Sequence, residues 1–135
     1  MIENYVKSDY SETWLENGII IQHINPKINE IDILAAKQLI ADRKNATGQA
    51  IKKSLVLVIV NNAVNVNKEA KKYYEEEDPY VNIIAIAMVM DNFIASVMAN
   101  LVFKLKKNPL PIEFFNNKVK ALKWLEKYKM LINQN

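Results

Sequence analysis

Cysteine is absent from this chain of 135 residues, histidine occurs once, glycine twice, and Arg43 is the single arginine among 18 basic residues. Without thiols there can be no disulfide, thiolate metal site or cysteine nucleophile, and His23 alone would leave a transition metal to carboxylate ligands. Two glycines, Gly18 and Gly48, cannot build the Gly-rich loops that hold phosphate in dinucleotide-binding and P-loop enzymes. Phosphate and base-edge recognition draws mainly on guanidinium forks, so a chain with one arginine is a poor nucleic-acid binder. Long apolar runs are missing too. Residues 81–90 are ended by Asp91 and residues 99–103 by Lys104, far short of the roughly 18 residues of a membrane span. The first ten residues carry Glu3, Lys7 and Asp9 and lack an apolar signal core, which makes the cytoplasm the expected compartment.

What is present is half hydrophobic by count, enough for one domain over residues 1–135. Charge is uneven along it: from Asn92 onward eight lysines face only Glu113 and Glu126, whereas the preceding part is mildly acidic. Residues 10–16 (YSETWLE) and 19–24 (IIIQHI) are β-branched and aromatic runs joined by Asn17-Gly18, a dipeptide suited to a tight hairpin. After Asn25-Pro26, residues 32–45 read as a helix with Asp32 or Asn29 as cap and Gly48 beyond its end. Residues 54–60 (SLVLVIV) are apolar without alternation, as in a strand covered on both faces of a parallel sheet.

Asn67 then caps a helix expected through Glu77, with Ala70, Tyr73 and Tyr74 on one side and Pro79 just past it. Residues 81–90 (VNIIAIAMVM) form the next strand. Asp91 caps a helix whose Ile94, Val97, Met98, Leu101 and Leu105 share a stripe. Pro109 and Pro111 precede a strand at 112–115, and Asn116 or Asn117 caps a last helix with Ala121, Trp124, Leu125 and Tyr128 inward. The expected order is β-β-α-β-α-β-α-β-α. It defines an α/β fold with an open, mixed, mostly parallel sheet, a β-hairpin followed by βα units, the first strand at an antiparallel edge and helices packed on the sheet.

Several strings in this order resemble the STAS-like, SpoIIAA-like superfamily. The segment IAIAMVMDNFIASVMANLVFKLKKNPLPIEFFNNKVKALKWLEKY is similar to the family's buried strand, helix, proline-flanked strand ending in phenylalanine, and closing helix, here with Phe115, Ala121, Leu122, Trp124 and Leu125. LVLVIVNNAVNVNKEAKKYY resembles its strand, loop and helix start. In the anti-sigma-factor antagonists of this superfamily the loop entering that helix carries a phosphorylatable serine, often within Asp-Ser-Ser-Gly. Here it reads Asn61, Asn62, Ala63, Val64, Asn65, Val66, Asn67, Lys68, and no serine or threonine lies between Leu55 and Ala95. A phosphoryl group needs a hydroxyl acceptor, so the resemblance implies a protein-interaction domain whose phosphoswitch is missing.

In open parallel sheets, ligands and partners meet the loops at the carboxyl ends of the strands. Those loops here all carry asparagine, and Asn61, Asn62, Asn65, Asn67, Lys68, Asp91 and Asn92 are the candidate partner-binding residues. Amide side chains both donate and accept, which suits a docking rim. Asparagine is equally a favoured N-cap, and capping in an Asn-rich chain is the plainer account. Lys120, Lys123 and Lys127 on the last helix, and Lys104, Lys106 and Lys107 before it, could meet an acidic partner or lipid, but solvated faces usually look like this. The acidic run 75–78 is likewise read as a solvated helix end.

His23 has no hydroxyl nucleophile at a motif-defined spacing and reads as a packed or half-exposed strand residue. No catalytic, cofactor or metal residue is identified. The expected role is a non-enzymatic regulatory module with a protein partner, such as a regulator, a kinase or a second copy of the chain. The alternative is a small hydrophobic-ligand or lipid-binding domain lined by the Ile94 stripe, which would show an apolar cavity.

Overall fold

In the computed structural model residues 2–48 and 53–133 are described; Met1 of the expected domain, residues 49–52 and residues 134–135 lie outside them. The elements run in the order β1 (Ile2–Lys7), β2 (Ser11–Glu16), β3 (Ile19–Ile24), β4 (Glu30–Ile31), α1 (Ile33–Ala46), β5 (Ser54–Ile59), β6 (Asn65–Val66), α2 (Lys68–Tyr73), β7 (Ile83–Val89), α3 (Asn92–Val97), α4 (Ala99–Lys106), β8 (Ile112–Phe115) and α5 (Lys118–Glu126). Short 3-10 helices follow α2 at Asp78–Tyr80 and α5 at Lys129–Asn133.

Six strands pair in the order β1-β2-β3-β5-β7-β8. β1, β2 and β3 are antiparallel neighbours, and β3, β5, β7 and β8 run parallel. The α/β class, the hairpin and the parallel βα units are as expected. Asn17 and Gly18 form the hairpin turn with φ of 52° and 79°, the left-handed pair that a two-residue turn requires. The unalternating run at β5 is buried on both faces from Ser54 to Val58.

Four expectations need correction. A further strand, β1, precedes the hairpin, so the antiparallel edge expected of residues 10–16 belongs to Ile2–Lys7 and not to β2. β1 is exposed along most of its length and carries Glu3 and Lys7, and a charged edge strand has no hydrophobic pattern to reveal it. α2 stops at Tyr73 rather than Glu77, because Pro79 sits inside the following 3-10 turn, buried, and the intervening glutamates have no core to pack on.

The strand expected at 81–90 is shorter, β7, with Val81 exposed ahead of it. The single helix after Asp91 is two, α3 and α4, parted at Met98 (φ −97°, ψ 18°). That break turns Val97 out to 60% exposure while Ile94 and Met98 stay buried, so Val97 leaves the stripe. A small parallel pair, β4 with β6, ties the loops ahead of α1 and α2 together and was not foreseen: two-residue strands have no periodicity.

Helices cover both faces of the sheet. On one face α1 to α4 enclose the larger core, with Ile20, Val56, Val58 and Ile86 contributed by the sheet. On the other, Ile19, Ile21, Leu55, Leu57, Ala85 and Ala87 meet Ala121 and Leu125 of α5, with Phe115, Trp124 and Tyr128 around them.

Candidate functional site

Because β3, β5, β7 and β8 are parallel, their carboxyl ends share one edge of the sheet, and a polar turn leaves each of them there. The helices that follow are capped by side chains of those turns. Asp32 accepts from the Ala35 amide at 2.8 Å, Asn67 from Ala70 at 3.0 Å, Asp91 from Ile94 at 2.7 Å and Asn117 from Lys120 at 2.9 Å. Each bond satisfies an amide that the first helical turn leaves without a partner.

The candidate residues fall on this edge in two groups. On the β5–α2 loop, the Asn61 carboxamide oxygen meets Nε2 of His23, and the Asn62 amide donates to the Pro26 carbonyl. Asn65 lies in β6, where its backbone N–H donates to Asn29 at 2.8 Å, and its side chain is exposed. Asn67 both caps α2 and donates its backbone N–H to Ile31 at 3.0 Å. Lys68 is exposed at the helix start. On the neighbouring strand Asp91 caps α3 and Asn92 is its exposed first residue. Capping therefore accounts for Asn67 and Asp91, and loop bracing for Asn61 and Asn62. Asn65, Lys68 and Asn92 are left as outward-facing groups.

Apolar residues share the edge with them. Leu34 (70% exposed), Phe93 (64%) and Val119 (69%) each occupy the second position of α1, α3 and α5. Sequence reading missed all three, since an apolar residue beside a cap looks like the start of a buried stripe. The signal was available in register: none of the three repeats with the buried positions of its own helix.

His23 is half-buried on β3, on the α5 face, across from Glu12 of β2. Beside it, on the part of that face which α5 does not cover, Tyr5 stacks on Trp14 with ring centroids 6.4 Å apart and donates to Glu12 at 2.7 Å. The Glu12 carboxylate, by accepting that bond, raises the Tyr5 pKa above its ordinary value. No group of three or more His, Cys, Asp or Glu able to hold a metal occurs among the described residues. None of their helices is long and apolar enough to cross a membrane.

Beneath α1 lies a buried polar network that the sequence did not disclose. Asp42, 1% exposed, accepts from Ser8 at 2.6 Å, Ser11 at 3.0 Å and Gln38 at 2.8 Å. Gln22, fully buried, donates to the Leu39 carbonyl at 2.9 Å and accepts from Nε of Arg43 at 2.7 Å. The buried Ser11, Gln22 and Asp42 are thus satisfied in a place where an unsatisfied polar group would cost about 1–3 kcal/mol.

Between α1, the sheet and the α2/α4 pair there is a cavity of about 70 Å³, lined by aliphatic side chains with Arg43, Tyr74 and Tyr80 in its wall. Of the expected apolar stripe, Met98, Leu101 and Leu105 reach it. Burial pushes the Tyr80 phenol up to about 12 and raises Tyr74 as well, the Arg43 charge opposing both shifts. These hydroxyls are donors, not bases: Tyr80 donates to the Tyr74 carbonyl at 2.6 Å.

A sheet that begins with antiparallel strands and continues in parallel βα units, with its loops gathered at one edge, defines the SpoIIAA-like class of α/β domains, and this chain has that fold. Its structure is similar to the crystal structure of an uncharacterized protein of the DUF3478 family with a SpoIIAA-like fold from Shewanella loihica PV-4. The TM-score is 0.54 at 12% identity, over 93% of this chain and 92% of that one. The chain belongs to the family described as a domain of unknown function (DUF7793), whose model matches residues 13–129. None of the curated proteins matches it.

Proposed function

We propose that this chain is a non-enzymatic protein-interaction module that docks a protein partner on the edge formed by the carboxyl ends of its parallel strands. The observation that carries this reading is the placement of Leu34, Phe93 and Val119, each more than half exposed, at three helix starts on that edge. The exposed amides of Asn61, Asn62, Asn65 and Asn92 lie there too, with Lys68 and Glu69 as opposite charges at the start of α2. Interface centres are depleted in charge and enriched in aromatic residues, and a Phe set among asparagines fits that pattern. The resemblance to anti-sigma-factor antagonists supports the same edge, because the loop that carries their phosphorylatable serine corresponds to residues 61–68 on it. The loop at residues 61–67 carries no hydroxyl, so control by phosphorylation of that loop is not part of the proposal.

The test is recovery of partners from the native cell with wild type, Phe93→Glu, Asn67→Asp and Lys68→Glu. Aspartate keeps the N-cap while adding charge, so folding is preserved. A partner, or a second copy of the chain seen as a change in solution mass, is expected to be lost at least tenfold in Phe93→Glu and less in the other two. Equal recovery and equal mass for all four proteins would remove this surface from consideration.

A further inference from the structure

The two faces of the sheet are unequally covered. Six strands spaced by about 4.8 Å make a sheet about 24 Å across, and a helix with its side chains is about 10 Å wide, so each face has room for two helices side by side. One face carries α1 to α4, whereas the other carries α5 alone, packed on β5, β7 and β8, with the 3-10 turn after it on β5. Among the described residues the helix that packs on β1 and β2 is α1, on the opposite side. On the α5 side Ile2, paired across from Glu16, and Tyr5, stacked on Trp14, are each more than half exposed. A strip one helix wide is left open there.

The chemistry of the strip says what fits it. Glu12 and Glu16 flank Trp14 at every second position of β2, so both carboxylates stand on the side of the rings. They are fixed there, Glu12 by accepting from Tyr5 at 2.7 Å and Glu16 from Nε1 of Trp14 at 3.1 Å. Lys7, across from Glu12, is the one lysine of the strip, and among the described residues no cation lies within ion-pair distance of either glutamate. The matching surface is on α5 itself. Lys120, Lys123 and Lys127 follow one another at three- and four-residue spacing, are exposed, and have no carboxylate within ion-pair distance among the described residues. Rings with carboxylates between them suit a lysine-bearing helix, whose ammonium groups reach ring faces and carboxylates while the aliphatic stems lie on the apolar surface. One face of the chain thus holds both an unfilled helix position and a helix of complementary charge.

We infer that two copies of the chain associate through their α5 faces, α5 of each copy filling the open place over β1 and β2 of the other. A two-fold axis running along the strands, midway between the two sheets, produces this arrangement. It reverses the strand order of the second sheet, so β2 of one copy comes over β7 of the other, where α5 is seated. The two α5 helices then form a shared middle layer. Ala121 and Leu125 face their own sheet, while Lys120, Lys123 and Lys127 face Tyr5, Glu12, Trp14 and Glu16 of the other copy. The same contact is made twice and closes at two chains, as an isologous interface requires. It lies on a face of the sheet, away from Leu34 and Phe93 of the docking edge proposed above, and does not depend on that edge.

Sedimentation equilibrium of the whole chain tests the inference. Wild type is expected at the mass of two chains, with association weakening as salt rises, since charge pairs set the contact. Reversing either side, by Glu12→Lys with Glu16→Lys or by Lys120→Glu with Lys123→Glu, should raise the dissociation constant at least about tenfold. Lys72→Glu with Lys107→Glu, a reversal of the same size on α2 and beside α4, should leave it unchanged. Mixing the two reversed chains should restore the dimer, because both contacts then pair opposite charges again, and that restoration also shows that each variant is folded. A wild type that keeps the mass of one chain up to about 1 mM, reversed chains that associate like wild type, or a mixture no tighter than its components would each overturn the inference. A dimer lost in Phe93→Glu but kept in the reversed chains would overturn it as well, by placing the second copy on the carboxyl edge.

Discussion

On the α5 face of the sheet, Ala121 and Leu125 are wholly buried against Leu55, Leu57, Ala85 and Ala87. On the opposite face four helices cover a wider area, yet they leave a cavity and enclose Asp42, Gln22 and Arg43. One helix seats Ala121 and Leu125 fully buried against β5 and β7 and leaves the β1–β2 end of its face to Tyr5 and Trp14. On the opposite face α1, longer than α5, and the three shorter helices α2, α3 and α4 leave space at the Met98 junction and in the α2/α4 gap. The α5 face is held mainly by packing, with hydrogen bonds such as Tyr5 to Glu12 at its margin, whereas the other face combines packing with a buried network that must be made whole.

The sharpest way to break that comparison is a pair of truncations. Leu125→Ala should cost about 3 kcal/mol in urea unfolding, since the leucine is fully buried and its neighbours cannot collapse around a backbone-anchored sheet. Leu105→Ala, on the half-buried cavity wall, should cost under about 1 kcal/mol. Equal losses would show that the two faces are packed alike. Next in size is Asp42→Ala, which strands the Ser8, Ser11 and Gln38 donors and should lower stability by about 2 kcal/mol by the same measurement. A loss no larger than that of an exposed alanine substitution would mean that the network adds nothing to the α1 face.

Removing a cap tests the edge that both faces share. Asp91→Ala should cost about 1 kcal/mol and raise amide exchange in α3 before any other element. The smallest effect is at Lys106, 2.9 Å from Glu113 across the α4–β8 corner. Lys106 holds the Glu113 carboxyl below its ordinary 4.5, so the pair contributes stability above about pH 4.5 that is lost as pH falls through the lowered value. The groups are well exposed, so Lys106→Met should differ from wild type by a few tenths of a kcal/mol at pH 7 and by less near pH 3, by thermal melting.

The elements built on strong periodicity were legible in advance. The hairpin at Asn17-Gly18, the β5 run, β8 and the α5 stripe of Ala121 and Leu125 lie where their residues put them. So do the caps at Asp32, Asn67, Asp91 and Asn117, because capping is a local bond between a side chain and an amide three residues on. β1 was not legible, since a charged edge strand is defined by its partner rather than by its own pattern. The α3/α4 break was not legible either, as Ile94, Val97, Met98 and Leu101 fit one continuous helix on paper.

For the candidate site the division is sharper. That the loops after the parallel strands would carry Asn61 to Lys68 and Asp91-Asn92 followed from strand order alone. Which of those side chains are spent on bracing, and that Leu34, Phe93 and Val119 join them on one edge, depended on contacts between residues up to 38 positions apart. Local composition thus determined the βα alternation, the caps, the hairpin and the missing hydroxyl of the 61–67 loop, because each is decided within a few residues. Only the tertiary structure brought Arg43 to Gln22, Ser8 to Asp42 and α4 against α2, because burial of a charge and the shape of a cavity are properties of neighbours that the chain meets only on folding.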